Sequence, residues 1–145
     1  MPIVSASSSD RTSIVDLLDA AGLPHDDLSD DLLSHFCVLR SQGAVRGVVG
    51  LEPIGRVALL RSLAVHPSTQ EQGYGSALVQ AAETQGRSQG VETLYLLTTT
   101  AASFFQKRGY DSISRDNVPP AIAQTNEFSQ LCPDTATCMQ KSLIS

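Results

Sequence analysis

Apolar and polar positions along the chain change period several times, and each change marks a predicted element. Leu59-Leu60-Arg61-Ser62-Leu63-Ala64-Val65 is apolar and closed by His66-Pro67, the pattern of a buried strand with a sharp stop. Gln70-Glu71-Gln72-Gly73-Tyr74-Gly75 follows as a glycine turn. Leu78, Ala81 and Ala82 then recur at helical spacing without a proline, which predicts a helix to about Ser88, ended by Gly90. Upstream, residues 2–7 read as a first strand. Ser8, Ser9 or Asp10 can cap a helix through Ala21 with Ile14, Leu17 and Leu18 as its apolar stripe. Residues 25–35 read as a second, acidic helix: Leu28, Leu32 and Leu33 face inward and Asp26, Asp27, Asp30 and Asp31 form its solvated face. Residues 36–40, 44–52 and 58–65 are three strands joined by short glycine turns, an antiparallel meander.

Past the long helix, residues 91–98 form a fifth strand, because Leu94, Tyr95, Leu96 and Leu97 are too apolar for an exposed edge. Strand, helix, strand places it parallel to residues 59–65 by a right-handed crossover. Residues 101–108 predict a short helix ended by Gly109, and residues 110–114 a sixth strand. Residues 118–128 predict a helix with Pro119 and Pro120 in its first turn, and residues 136–141 a last strand.

The 145 residues are expected to form a single domain, 1–145. Hydrophobic content of 41% against 17% charged is globular rather than disordered. A net charge of −5 without a basic run argues against a nucleic-acid surface. Residues 1–5 lack the start of a secretory leader, and no apolar run approaches the ~18 residues of a membrane span. A cytoplasmic protein without membrane or nucleic-acid partners is therefore expected. Cys37, Cys132 and Cys138 include no C-x-x-C pair, so small buried side chains are expected rather than a disulfide framework or a metal site.

Glycines in a turn that opens a helix let backbone N–H groups approach an anion, and the helix dipole adds positive charge there. That chemistry predicts a phosphate or pyrophosphate seat. The spacing is neither G-x-x-x-x-G-K-[ST] nor G-x-G-x-x-G. Gln70, Gly73 and Gly75 instead resemble the [QR]-x-x-G-x-[GA] signature of the GNAT superfamily of N-acetyltransferases, and Leu63-Ala64-Val65-His66-Pro67 resembles the strand before it. The resemblance implies an α+β GNAT fold: a mixed, mostly antiparallel sheet splayed at strands 4 and 5, with helices on both faces. It also implies acetyl-CoA as co-substrate. The backbone of Leu63, Ala64 and Val65 would run beside the acetyl and pantetheine groups. Amides from Gln72 through Gly73, Tyr74 and Gly75 to Ser76 would hold the pyrophosphate.

Residues 94–100 and Phe104-Phe105-Gln106-Lys107-Arg108-Gly109-Tyr110 resemble the catalytic domain of N-acetylglutamate synthase. Val118-Pro119-Pro120-Ala121-Ile122, Glu127-Phe128 and Leu131-Cys132-Pro133 resemble the small acetyltransferases of arsenic-resistance operons. In such enzymes an amine attacks a thioester directly, which requires orientation, removal of an ammonium proton and polarisation of the carbonyl. Two positions depart from the resemblance. The tyrosine that often protonates the leaving thiolate is Phe105, which leaves Ser103 or the hydroxyls of Thr98, Thr99 and Thr100 as substitutes; the strand glutamate that serves as base in the synthase is Leu59.

Glu52 is then the candidate base, the alternative being an ordinary glutamate in a surface hairpin turn. Arg61 stands in an apolar strand and needs an anion, either a substrate carboxylate or Glu52. Without a bulge it shares a face with Leu59, Leu63 and Val65. Arg46 and Thr98 complete the candidate substrate-binding set, and His66 is assigned to the turn. The function expected is acetyl-CoA-dependent acetylation of a small amino-acid-like amine, with glutamate and an arsenical antibiotic as candidate acceptors. Acetylation of a protein amine, or a non-catalytic acyl-CoA or arsenite-binding module, are the alternatives, and a homodimer is compatible with all of them.

Overall fold

The computed structural model describes residues 2–69, 73–125, 128 and 136–144. Among these the chain runs β1 (Ile3–Ser5), α1 (Arg11–Ala20), α2 (Asp30–Leu33), β2 (Phe36–Ser41), β3 (Ala44–Ile54) and β4 (Val57–Val65). It continues with α3 (Tyr74–Ser88), β5 (Thr93–Thr98), α4 (Ala102–Gln106), β6 (Asp111–Ser112), α5 (Pro120–Ala123) and β7 (Thr137–Ser142). The strands form one mixed sheet in the order β1-β2-β3-β4-β5-β7-β6. Gln42 and Gly43, with φ of 53° and 79°, make the tight turn from β2 to β3; both residues are left-handed, as a type I′ hairpin requires. The expected parallel pairing is present: β4 pairs with β5 from Val57↔Thr93 to Leu59↔Tyr95.

The chain divides into two compact units. The first comprises Met1–Glu52 and Leu60–Gln85. Its core gathers Ile14, Leu17 and Leu18 from α1, Leu28 and Leu33 from the segment after it, and Phe36, Val38, Val48 and Ala64 from the strands. Phe36 pairs in register with Gly50, and its ring fills the space a side chain would take: a Cβ added at Gly50 would lie 2.3 Å from ring carbons. The second unit comprises Pro53–Leu59 and Gly86–Ser145. There β5 pairs antiparallel with β7 from Thr93↔Ser142 to Thr98↔Thr137, and Leu59, Tyr95, Val118, Ile122, Phe128 and Cys138 form the core.

Several expected elements are shorter than their patterns suggested. The acidic helix shrinks to Asp30–Leu33, because the Ser29 side chain accepts from the Leu32 N–H and starts the helix there. Of the helix expected over 118–128, Pro120–Ala123 is α-helical and Phe128 is in a π-helical turn, while residues 126 and 127 lie outside the described residues; the Thr125 hydroxyl donates to the Ile122 carbonyl and accepts from the Phe128 N–H. The strands expected over 2–7 and 110–114 are Ile3–Ser5 and Asp111–Ser112. Conversely β3 continues past Glu52 to Ile54. No helix among the described residues is long and apolar enough to cross a membrane.

Candidate active site

The site in the first unit is shaped by an irregularity in β4. Ser62 has φ of 60°, a left-handed conformation uncommon for a residue with a side chain. A residue so placed inside a strand breaks the two-residue period. Arg61 is therefore not held to the face of Leu63 and Val65, contrary to the unbroken alternation. Its guanidinium reaches Asp27 instead, next to Leu28 of the core that also receives Ala64.

Arg61, Asp27 and Glu52 form a compact charged group. Arg61 Nη1 donates to Asp27 Oδ2 at 2.6 Å and Nη2 to Asp27 Oδ1 at 2.7 Å, a parallel two-pronged pair. Nη1 also donates to Glu52 Oε1 at 3.2 Å, and Nε to Ser62 Oγ at 3.2 Å. Side-chain exposure falls from 25% at Glu52 to 10% at Asp27 and 0% at Arg61. Burial pushes the Asp27 carboxyl up, but the hydrogen bonds and charge of Arg61 outweigh it and hold the acid below its usual 3.8. The solvated face assigned to Asp27 is thus corrected: it lies in a turn at residues 26 and 27, outside the helix, and its carboxylate is mostly buried. Glu52 lies within β3 rather than in a hairpin turn.

β3 carries a second irregularity. Its register with β2 passes from Leu39↔Gly47 to Arg40↔Val45, so Arg46 is an extra residue on β3. The Arg46 carbonyl accepts from His66 N–H at 2.7 Å, and its half-buried guanidinium pairs with no carboxylate among the described residues. Gly47 admits α3: a Cβ there would come within 2.9 Å of Leu78 Cδ1.

Gly73 opens α3 with φ of 80° and is exposed. Its carbonyl accepts from Ala77 N–H at 3.1 Å, which leaves the Tyr74, Gly75 and Ser76 N–H groups in a first turn without intrahelical acceptors. Fifteen helical residues put the positive end of their dipole at the same point. Gln70 and Gln72 lie outside the described residues. His66 takes the turn role expected of it, accepting from Ser68 N–H at 3.1 Å through Nδ1.

The remaining candidates belong to the second unit. Thr98 Oγ1 accepts from Ala101 N–H at 3.0 Å at the entry to α4, and Ser103 is exposed on that helix. Phe105 is buried edge-on against Phe104 and Tyr110, with centroids 5.1 and 5.3 Å away. Cys37 and Cys138 are free and buried, in different units. Burial raises both thiol pKa values, against a partly offsetting Arg115 charge at Cys138. Cys132 lies outside the described residues, among which no cluster of His, Cys, Asp and Glu is suited to a metal.

The acetyltransferase (GNAT) domain family matches residues 33–112, more than half of the chain, including Glu52, Arg61 and the glycine turn. The chain belongs to the GNAT acetyltransferase family. Asp27 falls outside the matched span. The amino-acid acetyltransferase of Pseudomonas syringae pv. tomato is 32% identical over 100 residues, covering 68% of this GNAT chain and 23% of the relative. That of Pseudomonas fluorescens is 31% identical over the same shares, so the chain spans about a quarter of these relatives' length. N-acetylglutamate synthase from Neisseria gonorrhoeae, solved with coenzyme A and N-acetyl-glutamate, superposes with TM-score 0.86 and 24% identity over 99% of this chain and 35% of that one. Rv2747 from Mycobacterium tuberculosis, solved with CoA, gives TM-score 0.84 and 21% identity over 98% and 99%. Both superpositions establish the GNAT fold.

Proposed function

We propose that this chain transfers an acetyl group from acetyl-CoA to the amine of a small amino-acid-like acceptor. The observation that carries the reading is Gly73: a left-handed, exposed glycine that starts a 15-residue helix shortly after β4 in a GNAT domain. The Tyr74, Gly75 and Ser76 amides would hold the pyrophosphate, with the Leu63, Ala64 and Val65 backbone beside the pantetheine. Gln70 and Gln72 would complete that loop. Glu52 would take the ammonium proton, directly or through water, and the freed amine would attack the thioester. The thiolate can leave and be protonated by water, since a thiol pKa is about 8.5, or by Ser103. Arg46, whose cation has no internal carboxylate among the described residues, is the better partner for an acceptor carboxylate. Arg61 already has Asp27 in that role. Thr98 would contribute a hydroxyl to acceptor binding. Glutamate and arsenical amino acids both fall in this acceptor class.

The test is coenzyme A thiol release from acetyl-CoA with a panel of amino acids, aminophosphonates, amino-acid arsenicals and a basic peptide. Turnover is expected with amino acids and weakened by converting their carboxylate to an amide. Binding of acetyl-CoA without turnover on any amine would replace the enzyme reading by that of an acyl-CoA sensor. Preference for the peptide would replace the acceptor class.

A further inference from the structure

An arginine offers five N–H donors in a rigid planar fork and cannot shed its charge. At Arg61 the two parallel prongs go to Asp27 at 2.6 and 2.7 Å, whereas Glu52 receives one longer bond of 3.2 Å through Oε1. Glu52 Oε2 has no hydrogen bond among the described residues, and its side chain is a quarter exposed. Two carboxylates share one guanidinium, so this group of three carries one net negative charge. We propose that Asp27 is a positioning residue: by filling the fork of Arg61 it restrains that cation from pairing fully with Glu52, and so keeps the Glu52 carboxylate available to the acceptor ammonium.

The inference rests on the reading of Glu52 as the base. Without the Asp27 charge, a fully buried Arg61 turns both prongs onto the carboxylate it already touches. Glu52 would then be held in a two-pronged ion pair, its second oxygen occupied. A proton on the acceptor nitrogen would have nowhere to go, and the rate would fall although the acceptor still binds. An acceptor carboxylate could reach the fork only by displacing Asp27, so Arg61 acts on the base rather than on the substrate's acid.

The experiment measures kcat and acceptor KM for wild type, Asp27→Asn, Glu52→Gln and the combination, at saturating acetyl-CoA. Calorimetry reports acetyl-CoA binding and circular dichroism reports folding. Asp27→Asn is expected to lower kcat by at least about 10-fold and by no more than the roughly 10²–10⁴-fold that loss of a general base causes, with acceptor KM nearly unchanged. On the Glu52→Gln background it is expected to cost nothing more. A wild-type kcat for Asp27→Asn, or the same fold-loss on both backgrounds, overturns the proposal. A full rate for Glu52→Gln would instead remove the base itself, and the positioning role with it. The charge-balanced pair Asp27→Asn/Arg61→Gln buries no lone charge and is expected to be faster than Asp27→Asn, because no guanidinium remains to capture Glu52. A pair as slow as the single variant overturns the proposal. Where Asp27→Asn does not fold, the pair must still lose rate on Glu52→Gln, and insensitivity to that change overturns it.

Discussion

Asp27 and Asp10 are acids whose charge is held by arginines: Asp27 by Arg61, and Asp10 by Arg40 Nη2 at 2.6 and 2.8 Å together with Ser7 N–H at 2.9 Å. Burial alone would raise both carboxyl groups, but these partners lower them beneath 3.8. A folded pKa below the unfolded one means stability that is present above about pH 3.9 and lost as pH falls through the folded value. Asp27→Asn or Asp10→Asn should therefore cost roughly 1.5–3 kcal/mol at pH 7, with the deficit shrinking below about pH 4. Urea unfolding at both pH values checks this; a deficit constant with pH would assign the loss to packing. Arg61 alone announced that an anion was needed, since a cation in an apolar strand demands one. Its identity was not legible, because Asp27 looked like one of four acids along a helical face. Ser62 was not legible either: unlike glycine, serine carries no preference for positive φ.

Elements were readable where their boundaries are set by residues of fixed meaning. Gln42-Gly43 and Gly55 turned the meander, Gly90 followed the long helix, and apolar runs bounded by turns located β2 to β5. The acidic helix was read too long, because Ser29 sets its start through a particular hydrogen bond rather than through composition. The same distinction governs which glycines matter. Gly50 has no positive φ, yet the Phe36 ring occupies the position of its missing side chain. Gly50→Ala should therefore overpack this strand pair and cost about 1–3 kcal/mol, with little effect on the glycine turn at α3. Thermal unfolding of the variant measures the loss. A neutral outcome would show that Phe36 can swing out of register with Gly50 at no cost.

For the whole molecule, the useful contrast is Gly73, whose constraint is backbone rather than packing. Among the described residues, a Cβ at Gly73 would meet nothing within 4 Å. Its φ of 80° would strain any L-residue by about 1–2 kcal/mol, small beside the total stability of a domain. The position was legible from the sequence because a glycine turn that opens a helix shows in the spacing of its glycines, whatever the neighbouring core contains. Gly73→Val should consequently remain folded, while its branched side chain keeps an anion away from the Tyr74, Gly75 and Ser76 amides. Ligand linkage turns this into a measurement of the entire chain. Acetyl-CoA at 100 times its Kd should stabilise the wild type by about 2.7 kcal/mol, and the same concentration should leave Gly73→Val unchanged. Equal shifts in both folded proteins would separate the coenzyme from this helix N-terminus. Loss of the shift together with retained folding would tie coenzyme binding to this turn.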